Sequence, residues 1–183
     1  MPYLFTSERL GFRNWQPADL PPMAAINADA AVMRFFPSVQ SVADTHSFID
    51  RMQRQLGLKG FCYFAVDRLE DGVFIGFIGL SEQTFEASFT PCIDVGWRLS
   101  KTYWGQGYAT EGALRCLAYA FDTLQLPEVN AVAPLVNEPS IHVMQKAGMQ
   151  PAGTFAHPLL AQYPHLQPCA RYLITQQQYQ QQP

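Results

Sequence analysis

The sequence predicts an α/β fold of the α+β kind, with a mixed, mostly antiparallel central sheet flanked by helices. Residues 61–67, 73–81 and 92–100 are short runs rich in β-branched and aromatic residues, as in strands. Residues 92–149 read in order as a strand, a glycine turn, a long amphipathic helix, a second strand and a short helix. With 183 residues, of which 48% are apolar, the chain can bury one sizeable core. We therefore expect a single domain over residues 1–175.

The N-terminal part predicts a strand followed by a helix. Leu10, Phe12 and Trp15 fall near the first strand, and Asp19 begins a helical region that continues through Met23 and Ile26.

Ser41 and Asp44 have the spacing of a capping box, in which each side chain bonds the other residue's backbone N–H. The helix that they predict presents four apolar residues on one face: Phe48, Ile49, Met52 and Leu56. The period then changes to that of strands, and Glu70, Asp71 and Gly72 join residues 61–67 to residues 73–81 as a hairpin. Residues 92–100 form the next strand of this meander.

The next helix follows directly from a turn with two glycines, Gly105 and Gly107. Its apolar residues recur at three- and four-residue intervals up to Pro127, and they are Leu114, Leu117, Ala118, Phe121 and Leu124. Glycine lacks a Cβ, so the backbone can turn sharply and approach a ligand, and a helix begins with unpaired N–H groups at the positive end of its dipole. Residues 105–110 are therefore expected to cradle an anion, phosphate above all.

Residues 153–158 and 169–175 read as two closing strands, which brings the sheet to about seven strands. Residues 176–183 form a glutamine-rich tail that is expected to stay frayed.

The glycine turn does not match the common nucleotide-binding patterns. The dinucleotide fingerprint requires a third glycine where Thr110 stands, and the Walker pattern requires a lysine. Residues 104–109 resemble the acyl-CoA pyrophosphate loop of the GNAT acetyltransferase superfamily, which reads Gln or Arg, two residues, Gly, one residue, then Gly or Ala. Trp104 departs from the first position, and the stretch from Trp104 to Glu111 resembles the branch of the ribosomal-protein N-terminal acetyltransferases.

The resemblance extends to residues 8–20, 94–100 and 137–149, and it spans roughly residues 6–175. It implies a GNAT-like sheet with two strands splayed apart at the acyl-CoA site. It also implies an acetyl-CoA-dependent N-acetyltransferase that transfers acetyl directly to a primary amine. By the same resemblance the cofactor would be held by Trp104, Gly105, Gln106, Gly107, Tyr108, Ala109, Thr110 and Asn137, together with the backbone N–H groups of Trp97, Arg98 and Leu99. The acceptor is left open between protein N-termini and small amines.

Asp94 is the candidate general base, because most amines are protonated near neutrality and must lose a proton before attack. It stands where similar proteins carry Glu. The alternative is that Asp94 only pairs with Arg98 on the same face of its strand. Glu82 and Glu86 are the next candidates.

Ser140 is the candidate proton donor to the leaving thiolate. Many GNAT enzymes use a tyrosine where this chain has Met144, whereas the branch that it resembles uses an N-x-x-S arrangement, matched here by Asn137 and Ser140. The alternative is that Asn137 and Ser140 only cap the helix that Pro139 opens.

A second function class also stays open, a degenerate GNAT domain that binds acyl-CoA as a sensor without turnover.

Composition excludes several classes. The formal net charge of −3, without a basic run, argues against nucleic acid as a partner. No apolar segment is long enough for a membrane span and the N-terminus lacks secretory character, so we expect a cytoplasmic protein, monomeric or homodimeric. The four cysteines lack metal or disulfide spacing and are expected to be buried thiols, and no metal is assigned. His157 and Tyr172 are further candidates for lining the acceptor pocket.

Overall fold

The computed structural model describes residues 2–181, and it confirms the α/β class with one largely antiparallel sheet between helices. The strands are β1 (Phe5–Thr6), β2 (Leu10–Arg13), β3 (Tyr63–Arg68), β4 (Phe74–Gln83), β5 (Cys92–Leu99), β6 (Glu128–Pro134), β7 (Gln150–Ala156) and β8 (Pro168–Thr175). The helices are α1 (Leu20–Ala28), α2 (Val42–Lys59), α3 (Tyr108–Ala118), α4 (Glu138–Lys146) and α5 (Gln176–Gln180). The sheet has eight strands, because the two-residue β1 adds one to the seven that we predicted.

The spatial order of the strands is β1-β2-β3-β4-β5-β6-β8-β7. All neighbouring pairs are antiparallel except β5 and β6, which are parallel and share a single register pair, Asp94 with Asn130. The strands β5 and β6 are joined through α3, as a parallel connection requires.

The capping box predicted for α2 is confirmed. The Ser41 side chain accepts from the Asp44 backbone N–H, and the Asp44 side chain accepts in return from the Ser41 backbone N–H. Ile49 and Met52 are buried, while Phe48 and Leu56 are partly buried against the core. The face of α2 predicted from spacing is thus the face that packs on the sheet.

The two faces of the sheet are covered by different helices. Phe48 of α2 packs at 5.2 Å from the Phe77 ring on one face. On the other face α3 lies so close to β4 that a Cβ on Gly112 would come within 2.2 Å of Ile78 Cδ1. A glycine at position 112 therefore permits the close contact between α3 and the sheet.

The structure differs from the prediction for the α3 region in two details. Leu114 was placed on the buried face, but it is 43% exposed, whereas Ala113, Cys116 and Leu117 are buried. The helix also ends earlier than Pro127 implied, with a π turn over Tyr119–Thr123 after α3.

The tail is more ordered than its composition suggested. Thr175 and Gln178 form a capping box at the start of α5, and the Tyr179 ring stacks on Phe121 at 4.9 Å. Residues 182–183 lie outside the part of the chain that the structure describes. The expectation of fraying was therefore wrong for Gln176–Gln180, because one tyrosine among the glutamines reaches the core.

Three of the cysteines, Cys62, Cys116 and Cys169, are buried as expected, while Cys92 is half-buried, and all four are unpaired. Within residues 2–181 no helix is both long and apolar enough to cross a bilayer. The same residues contain no group of three or more His, Cys, Asp or Glu side chains that could hold a metal ion.

Candidate active site

The glycine turn forms an exposed backbone loop at the start of α3. Gly105 and Gly107 have φ values of +71° and +83°, in the left-handed region that favours glycine. A Cβ at Gly105 would have no neighbour within 4 Å, so the outer side of the loop is open to a ligand. Gly107 begins α3 without a side-chain cap, which leaves the first N–H groups of the helix directed at that opening. The loop therefore fits a phosphate group.

The loop is held from the N-terminal strands by Arg9, which we did not predict. The Arg9 guanidinium donates to the Gln106 carbonyl at 3.0 Å and to Glu111 at 2.7 Å, and it lies 4.5 Å above the buried Tyr108 ring. Glu111 also accepts from the Ser7 hydroxyl at 2.7 Å. Burial raises the pKa of Glu111, but these hydrogen bonds outweigh it, so the net pKa is lowered and the carboxylate stays ionised. The sequence feature that could have indicated Arg9 is the pair Arg9–Leu10 within residues 8–20, a stretch that resembles the family.

Trp104 joins this loop to the end of β5. Its indole N–H donates to the Leu99 carbonyl at 3.0 Å, while 42% of the residue is exposed. Trp104 thus orients the loop through the indole and leaves part of the ring accessible.

A gap opens between β5 and β6, as the resemblance implied. The strands pair only at Asp94 and Asn130, and β6 then pairs with β8 alone. The Ser100 N–H donates to the Ile75 carbonyl at 2.9 Å, across the pair of β4 and β5. Backbone groups alternate in direction along an antiparallel pair, so those of the even-numbered β5 residues point toward β4. The N–H groups of Trp97 and Leu99 consequently face the gap. That of Arg98 faces β4, so Arg98 is not the free backbone donor that we predicted.

Asp94 lies on the face of β5 that α2 covers. It is 8% exposed, and its Oδ1 accepts from the Tyr63 hydroxyl at 2.7 Å and from Gln83 Nε2 at 3.0 Å. Burial raises the pKa of Asp94 to about 6, and the two hydrogen bonds offset only part of that effect. Within residues 2–181 no side chain donates to Oδ2. Near neutral pH Asp94 is therefore an ionised carboxylate with one oxygen available to take a proton.

The alternative partner for Asp94 is not found. Arg98 donates to Asn27 at 2.7 Å and to Gln40 at 3.4 Å, and it forms no ion pair with Asp94. The next acid candidates differ from Asp94 in their surroundings, since Glu82 pairs with Lys59 and Glu86 is exposed.

Asn137 begins α4, and its side-chain oxygen accepts from the backbone N–H of Ser140 at 3.2 Å. The capping role is therefore present. That bond uses the Ser140 backbone, and the Ser140 hydroxyl makes no hydrogen bond within residues 2–181, so it is available for another role. Met144 is 2% exposed and belongs to the core.

The further candidates for the acceptor pocket lie in separate clusters. His157 packs 4.3 Å from Phe85 of the β4–β5 loop, and burial lowers its pKa. The Tyr172 hydroxyl instead contacts Gln145 of α4 at 3.2 Å.

Comparison with known proteins identifies the family. The sequence model of the acetyltransferase (GNAT) domain matches residues 9–150. The chain belongs to the GNAT acetyltransferase family. The uncharacterized N-acetyltransferase YnaD of Bacillus subtilis (strain 168) is 28% identical over 82% of this chain and 84% of its own length. This GNAT chain is thus an N-acetyltransferase, in agreement with the prediction, and the enzymes of its family use acetyl-CoA.

Solved structures agree in fold. A GNAT-family acetyltransferase from Bacillus anthracis superposes with a TM-score of 0.78 at 24% identity, covering 94% of this chain and 98% of the other. A spermidine N-acetyltransferase from Vibrio cholerae, in complex with CoA and spermine, has a TM-score of 0.72 at 18% identity, again with 94% and 98% coverage.

Proposed function

We propose that this GNAT enzyme transfers acetyl from acetyl-CoA directly to a primary amine, with Asp94 as general base. The observation that carries the proposal is a buried carboxylate with a raised pKa on the strand that borders the gap. The acceptor is either a protein N-terminus, as in the branch that residues 104–111 resemble, or a small amine, as in the spermidine enzyme of the same fold.

Acetyl-CoA, when bound, supplies the acetyl group as a thioester. The backbone of residues 105–110 fits its pyrophosphate, because the loop is open and begins a helix. The N–H groups of Trp97 and Leu99 face the gap and would hold the pantetheine amides and the thioester oxygen. Trp104 orients this loop, and Asn137 fixes the first turn of α4, which carries Ser140.

The protons balance with two side chains. Asp94 takes one proton from the ammonium, directly or through one water, and passes it to solvent. The nitrogen then forms its bond to the acetyl carbon, the carbon–sulfur bond breaks, and the nitrogen loses a second proton to solvent. The Ser140 hydroxyl donates a proton to the departing sulfur and regains one from water. One proton is released in total for each acetyl group transferred.

The test is CoA release with a panel of amines that includes N-terminal peptides and small amines. Acetyl-CoA-dependent release with at least one amine, together with a mass increase of that amine by one acetyl group, is the expected result. Acetyl-CoA binding by calorimetry without release for any amine would instead support the second class, a sensor without turnover.

A further inference from the structure

Arg98 carries a positive charge that no carboxylate neutralises. Its Nη1 donates to two neutral oxygens, on Asn27 at 2.7 Å and on Gln40 at 3.4 Å. Its Nε is buried and has no hydrogen-bond partner. Among residues 2–181 no Asp or Glu forms an ion pair with it. An incompletely bonded charge on a partly buried side chain is unfavourable, so a ligand of opposite charge would be stabilised beside it.

The surroundings hold the guanidinium in one place. It lies 4.3 Å from the centre of the Phe36 ring and 5.4 Å from that of Phe77. Asn27, which is fully buried, is fixed in turn by a 3.0 Å bond from its amide nitrogen to Thr45. Burial lowers the pKa of Arg98 to about 10, and the side chain remains charged at neutral pH. The charge is therefore preorganised for a ligand.

Arg98 and Asp94 share one face of β5. They are four residues apart, so their Cα atoms are separated by about 13 Å along the strand. The Phe77 ring near Arg98 stacks on the Tyr63 ring at 5.0 Å, and the Tyr63 hydroxyl bonds Asp94 at 2.7 Å. A carboxylate and a guanidinium thus stand at opposite ends of the stacked Phe77 and Tyr63 rings, and the Phe48 ring of α2 packs on both of these rings.

From this arrangement we propose that the acceptor is a small primary amine that also carries a carboxylate, with the amine at Asp94 and the carboxylate at Arg98. The proposal rests on the proposed function. A carboxylate can accept two parallel N–H bonds from a guanidinium. A polyamine would place a second ammonium against the Arg98 charge, and like charges disfavour binding. The acceptor class proposed for this chain thus differs from the polyamine of the spermidine enzyme.

The experiment compares kcat/KM for amino acids of increasing length, from glycine through γ-aminobutyrate to ε-aminocaproate. Each is paired with the n-alkylamine and the diamine of matching length. We expect the best amino acid to exceed its alkylamine by about 10- to 100-fold, the usual range for a hydrogen-bonded charge pair. The diamine should be no better than the alkylamine.

Variants identify the source of the preference. Arg98→Met should reduce the preference to about onefold, because the carboxylate contact is lost. The bonds to Asn27 and Gln40 are lost as well, so the preference is measured as the ratio of the two kcat/KM values within the variant. Arg98→Lys keeps the charge but not the paired donors, so it should retain part of the preference and serves if Arg98→Met fails to fold. Arg54→Gln, an exposed arginine of α2, is the matched control and should leave the preference unchanged.

Several outcomes would overturn the proposal. One is equal kcat/KM for amino acids and alkylamines, and a second is a preference that survives Arg98→Met. A third is preference for the diamine. In all three the chain still turns over amines, so the proposed function stands. If no amine is acetylated, the proposed function fails. Calorimetric titration of ε-aminocaproate into the CoA-saturated protein then tests whether Arg98 binds a carboxylate. Binding that Arg98→Lys weakens supports the carboxylate site, and absence of binding overturns it.

Discussion

The two faces of β5 are built in different ways. On the α3 side the proposed cofactor site is backbone, a continuous loop over residues 104–110 whose shape depends on two glycines. On the α2 side the proposed acceptor site is made of side chains from distant segments, since Tyr63 and Gln83 donate to Asp94, and Arg98 donates to Asn27. A backbone site suits a cofactor shared across a family, whereas side chains can change with the acceptor. We therefore expect substitutions on the two faces to separate cofactor binding from acceptor chemistry.

Asp94→Asn should have the largest effect. It should lower kcat by ~10²–10⁴ with acetyl-CoA affinity nearly unchanged, because it removes the proposed base and leaves the α3 side intact. The wild-type rate should rise as the pH increases through about 6, where Asp94 loses its proton. The variant should lack that limb and should recover part of its rate at high pH, where free amine is available. A defect equal at every pH would show that Asp94 only positions the acceptor, and Glu82 would be tested next.

The same variant should be more stable than the wild type near neutral pH. The pKa of Asp94 is about 6 in the folded chain, above the ordinary value of 3.8, so the folded state binds more protons than the unfolded state between these values. Wild-type stability therefore falls as the pH rises through this window. The amide of the Asp94→Asn variant would keep an oxygen for the bonds from Tyr63 and Gln83 without the buried charge. The gap in unfolding free energy should open between about pH 4 and 6 and reach up to ~3 kcal/mol, as checked by denaturant titration at several pH values.

Gly107→Val tests the glycine loop on the α3 side. The φ of +83° lies in the left-handed region that disfavours any branched residue, so the loop must change shape. We expect CoA affinity to fall by about tenfold or more, as measured by calorimetry. Gly57→Val is the matched control, because Gly57 is exposed on α2 with no atom within 4 Å of its Cβ position. Unchanged CoA affinity in Gly107→Val would reject the loop as the phosphate site.

The same contrast explains what the sequence could predict. The glycine loop and the Ser41 capping box involve residues next to or near one another, so their spacing alone indicates them. The bonds from Arg9 to Glu111 and from Arg98 to Asn27 join residues 102 and 71 positions apart, which no local pattern reveals. Strand register decided that the backbone of Arg98 faces β4, and register depends on pairing across the sheet. Helix α5 is a missed local signal, since Thr175 and Gln178 have capping-box spacing.

Tyr63→Phe tests whether Asp94 produces the acid limb of the rate profile. In the wild type, the hydrogen bond from the Tyr63 hydroxyl lowers the pKa of Asp94. Removing that hydroxyl should therefore raise this pKa and move the acid limb of the rate profile to higher pH. A hydrogen bond to a charged group contributes about 1.5 kcal/mol, which corresponds to a move of about one pH unit. Near pH 8 and above the rate should approach that of the wild type. An unmoved limb, measured as kcat/KM against pH, would mean that the limb reports a group other than Asp94.

Ser140→Ala should have a smaller effect than Asp94→Asn, and it distinguishes chemistry from capping at α4. Asn137 bonds the backbone N–H of residue 140, which alanine keeps, so stability should change little while kcat falls about tenfold to a hundredfold. Asn137→Ala should instead lower the free energy of unfolding by about 1 kcal/mol, because the cap of α4 is lost. Thermal unfolding and single-turnover rates measured on both variants separate the two roles. If Ser140→Ala keeps the wild-type single-turnover rate, water protonates the thiolate, and the Ser140 hydroxyl has no part in the transfer.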